Sequence, residues 1–216
     1  PGPGRVEVLR AMGEPGYERA LPFLQKTAAG RDGLLRRHAI VSLELVGSEK
    51  AVDPLVEAAK KESDKAVLKE QLRAMAKLAP SRKDVADLVY KRASDADARL
   101  RANALVAASD LDDTAKAREL ARKALADKSP DVRACAVYAL GLIGEKADLP
   151  RLAKLEEKET DFKVKVLFLG ARTLIETEGG KSPPQGYGIA LLFFAGDDIP
   201  HDGTWPPPPW VGKRDL

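Results

Sequence analysis

A fourteen-residue pattern that returns about every 32 residues constrains this chain more than any other feature. It reads LLRRHAIVSLELVG from Leu34, VLKEQLRAMAKLAP from Val67, RLRANALVAASDLD from Arg99, DVRACAVYALGLIG from Asp131 and KVKVLFLGARTLIE from Lys163, in steps of 33, 32, 32 and 32 residues. The second place is always branched and apolar: Leu35, Leu68, Leu100, Val132, Val164. The third is always basic: Arg36, Lys69, Arg101, Arg133, Lys165. The sixth reads Ala39, Leu72, Ala104, Ala136, Phe168; the ninth Ser42, Met75, Ala107, Ala139, Ala171; the thirteenth Val46, Ala79, Leu111, Ile143, Ile175. Places 2, 6, 9 and 13 fall at i, i+4, i+7 and i+11, one face of an α-helix. A small ninth residue lets a neighbouring helix approach closely. The fourth copy is expected to open with Asp131 as its N-cap.

A second helical stretch separates successive copies: YERALPFLQKTAA after Gly16, EKAVDPLVEAAKK after Ser48, RKDVADLVYKRA after Ser81, then DTAKARELARKALA and ADLPRLAKLEEKE. Ser48 and Ser81 read as N-caps. Pro22, Pro54 and Pro150 fall in early turns, where a missing N–H costs least. A two-helix unit repeated at this period predicts an α-solenoid, in which each unit buries its apolar face only against its neighbours. The composition agrees. Hydrophobic residues make up 44% of the chain but aromatic ones only 5%, which suits many small contacts between helices better than one large aromatic core.

The copy at Asp131 resembles the HEAT repeat, in the PBS-lyase HEAT-like variety whose helix reads D-x-V-R-x-x-A-x-x-A-L-G-x-I-G. Val132, Arg133, Ala136, Ala139, Leu140, Gly141, Ile143 and Gly144 carry the match. The resemblance implies an all-α, right-handed solenoid: a leading helix over Val6–Met12 and five helix pairs, a domain spanning residues 1–177. Residues 178–216 form a C-terminal extension. HEAT repeats also carry an acidic residue six places before the basic one. Asp95, Asp127 and Glu159 fill that place here, and with Arg101, Arg133 and Lys165 they are expected to form a structural ladder between repeats. Gly30 and Ser63 do not fill it, so the ladder is expected to fail at the N-terminal end.

Little in the chain points to catalysis. There is no Ser/His/Asp set, P-loop or Gly-rich dinucleotide turn. Cys135, the single cysteine, excludes an intrachain disulfide and reads as a small buried hydrophobe. His38 shares its place in the repeat with Gln71, Asn103, Cys135 and Leu167, a packing position rather than a ligand set. In DDIPHD, Asp197, Asp198, His201 and Asp202 read better as a polar turn than as a metal site, which needs three or four converging ligands. No cofactor, metal or enzymatic activity is expected.

Charge excludes less. Lys+Arg 36 against Asp+Glu 33 gives a net charge of +3, too balanced to indicate nucleic acid or a membrane surface. No apolar run reaches the roughly 18–20 residues that span a bilayer, and IALLFFAG is far shorter. Lys60, Lys61, Lys91, Arg92, Arg122, Lys123 and Lys154 belong to the intervening helices and alternate with acids, as on a solvated surface. The chain opens PGPG without Met and is expected to be a processed form, with any targeting segment outside it.

A non-enzymatic scaffold for a protein or peptide partner is therefore the expected function. The alternatives are a binder of nucleic acid or another anionic ligand and, more weakly, a lyase-type accessory enzyme. In HEAT proteins the helices of the repeated pattern line the concave side. Opposite their buried face, the first two copies carry Arg37, Glu44, Glu70, Arg73 and Lys77, whereas the last three carry small and apolar residues. Ala102, Leu105, Val106, Ala134, Val137, Tyr138, Val166 and Leu169 are the candidate partner-binding strip, since an exposed apolar strip of that length marks an interface. The extension supplies a second candidate. TWPPPPW holds both tryptophans, Trp205 and Trp210, around four prolines that favour a polyproline II rod of roughly 12 Å, a form that docks in apolar grooves. Upstream of it, Ile189, Leu191, Leu192, Phe193 and Phe194 are expected to cover the last helix pair.

Overall fold

The computed structural model describes residues 3–177, and those residues are helical throughout their regular parts. The leading helix α1 spans Pro3–Ala11, and five pairs follow in chain order. They are α2 (Leu21–Ala28) with α3 (Gly33–Val46), α4 (Val52–Ala59) with α5 (Lys65–Leu78), α6 (Lys83–Arg92) with α7 (Ala98–Ala108), α8 (Thr114–Ala124) with α9 (Pro130–Ile143), and α10 (Leu149–Lys158) with α11 (Phe162–Glu176). Short 3-10 turns, Glu18–Ala20, Glu49–Ala51 and Lys146–Asp148, lead into α2, α4 and α10. Two compact units result, Pro1–Ala117 and Arg118–Leu216. The extension from residue 178, with Ile189 to Phe194, His201, Trp205 and Trp210, lies outside the described residues.

In the first unit α3 packs on α1, α2 and α5, and α5 also meets α4, α6 and α7. In the second, α11 packs on α9 and α10. The repeated places form the core as their spacing predicts. Every residue at places 6 and 9 is buried, and at places 2 and 13 only Leu35 and Ile143 are half-exposed. Ser42, the one polar residue of these columns, is 1% exposed and donates its hydroxyl to the Leu9 carbonyl at 2.7 Å, which ties α1 to α3.

The starts of the repeated helices follow one rule. Asp32, Asp64 and Asp97 are N-caps with extended backbone, and their carboxylates accept from the N–H groups of Leu35, of Ala66 and Val67, and of Arg99 and Leu100. Asp161 accepts likewise from the Val164 N–H. For α9 the cap is Ser129, not Asp131, because Pro130 occupies the first turn and Asp131 is already helical. Ser48 is the N-cap of the 3-10 turn that leads into α4, but its hydroxyl goes to the Glu18 carboxylate at 2.8 Å and caps no N–H. Ser81 is displaced, lying one residue before Arg82, the N-cap of α6.

Two glycines stop helices for different reasons. Gly47 ends α3 with φ 76°, a left-handed conformation that side chains disfavour. Gly144 has an ordinary φ of −71°, but a Cβ there would collide with the Leu140 carbonyl oxygen and lie 2.9 Å from Ile175 Cδ1. The final glycine of LGLIG thus permits close approach of the chain to its own helix end and to α11.

Candidate interaction surface

The basic column is a set of clamps. Arg133 Nε and Nη2 donate to the two Glu159 carboxylate oxygens at 2.7 and 2.8 Å, a bidentate pair, while Nη1 donates to the carbonyl of Asp127 at 3.0 Å. Hydrogen bonding by Arg133 holds the Glu159 carboxyl down at about 2, against an ordinary 4.5. The expected ladder therefore needs a correction of detail. Arg133 takes the backbone of the acidic residue six places before it and reaches forward for the carboxylate of the next repeat. Arg101 likewise donates to backbone carbonyls ahead of its helix, those of Asp95 and Ala96. Asp95, Asp127 and Glu159 each accept the N–H two residues on, that of Asp97, Ser129 or Asp161. Lys165, in the last described pair, has an exposed side chain.

The ladder does not fail at the N-terminal end. Glu62, one residue ahead of Ser63, accepts from Arg36 Nη1 at 2.5 Å and from the Asp64 N–H at 2.9 Å. The extra residue of the 33-residue step moves the acid by one place, and a search in fixed register passes over it.

The intervening helices carry clamps too. Arg122 grips the carboxylate of Asp148, 3% exposed, at 2.6 and 3.0 Å, and Arg118 donates to the Ile143 carbonyl and to Glu145. Arg122 thus leaves the group of merely solvated cations. Lys60 pairs with Glu57, Arg92 with Asp95 and Lys123 with Glu119, so the basic residues of this side are largely neutralised where they stand.

The charges predicted for the first two copies do gather in the first unit. Glu44 accepts from Arg73 Nε at 2.9 Å and sits 3.1 Å from Lys77 Nζ. Burial raises the Glu44 carboxyl, but Arg73 and Lys77 outweigh it and hold the group below the usual range. Glu70, 1% exposed, lies 3.1 Å from Arg73 Nη2 and 3.8 Å from Arg37 Nη2. Asp110, just after α7, joins the same group, and burial pushes its carboxyl up to about 6, against the pull of Lys77.

The predicted apolar strip is only partly a surface. Ala102, Leu105, Ala134 and Val137 are buried, 0–3% exposed, and Val106 and Tyr138 are half-buried. The reason is packing on several sides. Within their units α7 meets α5 and α6, and α9 meets α11, so small residues at these places admit neighbours and do not face solvent. Val137 and Phe168 floor a cleft of about 240 Å³, with Leu125, Leu155 and the Arg133–Glu159 clamp. Only Val166 and Leu169 stand out, 49% and 67% exposed. Phe162, 77% exposed, extends them along α11 at i, i+4 and i+7, and Leu142 on α9 is 46% exposed. Phe162 precedes the repeated pattern by one residue, so a reading confined to the pattern misses it.

His38 and Cys135 are buried, as packing positions should be. No helix among the described residues is long and apolar enough to cross a membrane.

Compared with known families, the profile of HEAT repeats matches residues 3–76 and 85–167, most of the chain. The chain belongs to the HEAT-repeat family. Its HEAT repeats are the helix pairs described above. No curated protein matches the chain in sequence.

Proposed function

We propose that this HEAT-repeat protein is a non-enzymatic scaffold that binds a protein partner through the exposed stripe of α11, centred on Val166 and Leu169, together with Trp205 and Trp210 of the extension. The observation that carries the reading is the stripe itself. Phe162, Val166 and Leu169 are large apolar side chains 77%, 49% and 67% exposed on one face of one helix, whereas Val164, Leu167 and Phe168 between them are buried. Grouped apolar side chains of this size mark an interface rather than ordinary solvent-facing surface. The wider family supports the class, since HEAT repeats generally mediate protein–protein interaction. Neutralisation of Lys60, Arg92, Arg122 and Lys123 by nearby acids weighs against a phosphate-tracking groove, which needs cations free to meet the ligand.

Affinity capture tests it. The intact chain is compared with Val166→Glu/Leu169→Glu and with Trp205→Ala/Trp210→Ala, each first matched to the parent by circular dichroism. Loss of the same captured protein in both variants is the expected result. Capture that survives both substitutions overturns the surface, and salt-sensitive retention on DNA with no protein captured overturns the class.

A further inference from the structure

The residue just before the repeated pattern and places 3, 4 and 7 within it fall at i, i+3, i+4 and i+7, on one side of the helix. On α3 and α9 that side carries the next helix pair. Arg36, at place 3, reaches Glu62, and Arg133 reaches Glu159, each the acid ahead of the following repeated helix. One turn on, at place 7, Ile40 and Val137 are both 0% exposed, with α5 packed on α3 and α11 packed on α9. Arg37 and Ala134, at place 4, are buried as well. On α11 the same four places hold Phe162, Lys165, Val166 and Leu169. All four are exposed, and no ion pair holds Lys165 among the described residues. We infer that α11 presents an open stacking face, and that its partner is a helix pair of a different protein, laid on that face as a further repeat and clamping Lys165 with an acid at the turn between its two helices.

This inference rests on the α11 stripe as the docking surface and names what docks there. Continuity with the packing inside the chain gives the partner its shape, since a repeat buries its apolar face against the next one. Charge complementarity gives it its acid. The face joins three large apolar side chains to one cation, so the fitting surface is apolar with a single carboxylate. Glu62 and Glu159 show where that carboxylate stands: at the turn into a helix, each also accepting the N–H two residues on. The chain does not supply such an acid to itself at the spacing of its own clamps. Those clamps span 26 residues, and the same step from Lys165 falls on Leu191, in a stretch without an acid between Glu178 and Asp197. A second copy stacked in register does not supply it either, because Gly30 stands two residues before Asp32, the cap of its first repeated helix. A helix pair of another protein, with Asp or Glu at that turn, meets both demands.

Charge reversal with a helix-pair probe tests it on the full chain. The probe is a synthetic peptide of residues 145–177, the pair that carries Glu159 against α9, with Phe162→Ser, Val166→Ser and Leu169→Ser so that only its inner face can dock. Binding is read by titration calorimetry, and each chain variant is first matched to the parent by circular dichroism. The expected result is one probe bound per chain, weakened at least tenfold by Lys165→Glu in the chain or by Glu159→Lys in the probe, and largely restored when the two reversals are combined. Val166→Glu/Leu169→Glu in the chain should abolish it. No binding to the intact chain overturns the inference, and so does binding that ignores the charge at either position. Sedimentation of the chain alone is the second arm. Self-association that Lys165→Glu removes assigns the face to a second copy and overturns the choice of partner. The two readings fail separately. Capture of a protein that survives Val166→Glu/Leu169→Glu removes the docking surface itself, whereas capture that needs the stripe, beside a probe indifferent to Lys165, removes only the repeat-like partner.

Discussion

Arg133 and Glu159 face each other across successive repeats as a two-pronged pair, guanidinium edge to carboxylate edge, at 2.7 and 2.8 Å. Glu159 also accepts the N–H groups of Thr160 and Asp161, so one carboxylate joins the first turn of α9 to the turn that starts α11. Arg133→Ala leaves that carboxylate, with a side chain 8% exposed, without its counter-charge. Removing one member of such a pair costs about 2–3 kcal/mol, readable as a lower urea midpoint at unchanged slope.

The same pair fixes an acid limb. Hydrogen bonding by Arg133 keeps the folded-state Glu159 at about 2, below its ordinary 4.5. A depressed carboxylate contributes stability that is complete above the ordinary value and is lost as pH falls through 4.5 towards 2. Glu159→Gln should flatten the fall of melting temperature over that window and lower stability at pH 7. An unchanged acid limb in the variant would show that Glu159 is not the group concerned.

Asp110 works in the opposite direction. Burial raises its carboxyl from 3.8 to about 6, so the folded chain holds this proton more tightly than the unfolded chain does. Stability therefore declines as pH rises between those two values and carries the full penalty above 6. Asp110→Asn is expected to be stabilising at pH 7.5, by about 1–2 kcal/mol, and to lose that advantage by pH 4. Thermal melts at the two pH values decide it.

Gln71 is 1% exposed, and neither end of its amide has a hydrogen-bond partner in the protein. It lines a cavity of about 40 Å³ with Gln25, Leu43 and Leu55. The equivalent place is apolar in the last two repeats, Cys135 and Leu167, both buried. Gln71→Leu should raise stability by about 1–2 kcal/mol, because an unsatisfied buried amide costs more than an apolar side chain of similar size.

Gly144→Ala should destabilise although φ is ordinary there, because the added methyl meets the Leu140 carbonyl and Ile175. A loss of about 1–3 kcal/mol is expected from such crowding. Adding Ile175→Val should recover part of it, which a purely backbone effect would not allow.

The period, the helix pairs and the core columns were legible because they depend on local spacing. Ala39, Ala104 and Ala136 recur wherever a neighbour must come close, and they are buried. The surface was harder to read. Ala134 and Val137 lie opposite the column that defines the core, yet they too are buried, since a helix packed on several sides has only a narrow exposed arc. Small apolar residues do not say whether they face solvent or admit a neighbour. Phe162 was missed for the opposite reason, as it precedes the pattern that drew attention to Val166 and Leu169. Glu62 was missed because its place is set by the cap it serves, Asp64, and not by its distance from Lys69.

The fixed spacing of acid and cap governs how such a chain tolerates changes in length. Acid and cap stay two residues apart at 62 and 64, 95 and 97, 127 and 129, and 159 and 161, even though one copy is a residue longer than the rest. From Arg36 to Glu62 and from Arg133 to Glu159, the clamped stretches have the same length. The surplus residue sits between Asp64 and Lys69, between the cap and the basic residue of that copy. Each repeat thus re-zeroes the alignment, and a miscount in one does not propagate to the next. Cuts placed just ahead of the acids, at 62, 95, 127 and 159, would separate interchangeable cassettes, along which a chain of this kind can lengthen or shorten without losing step.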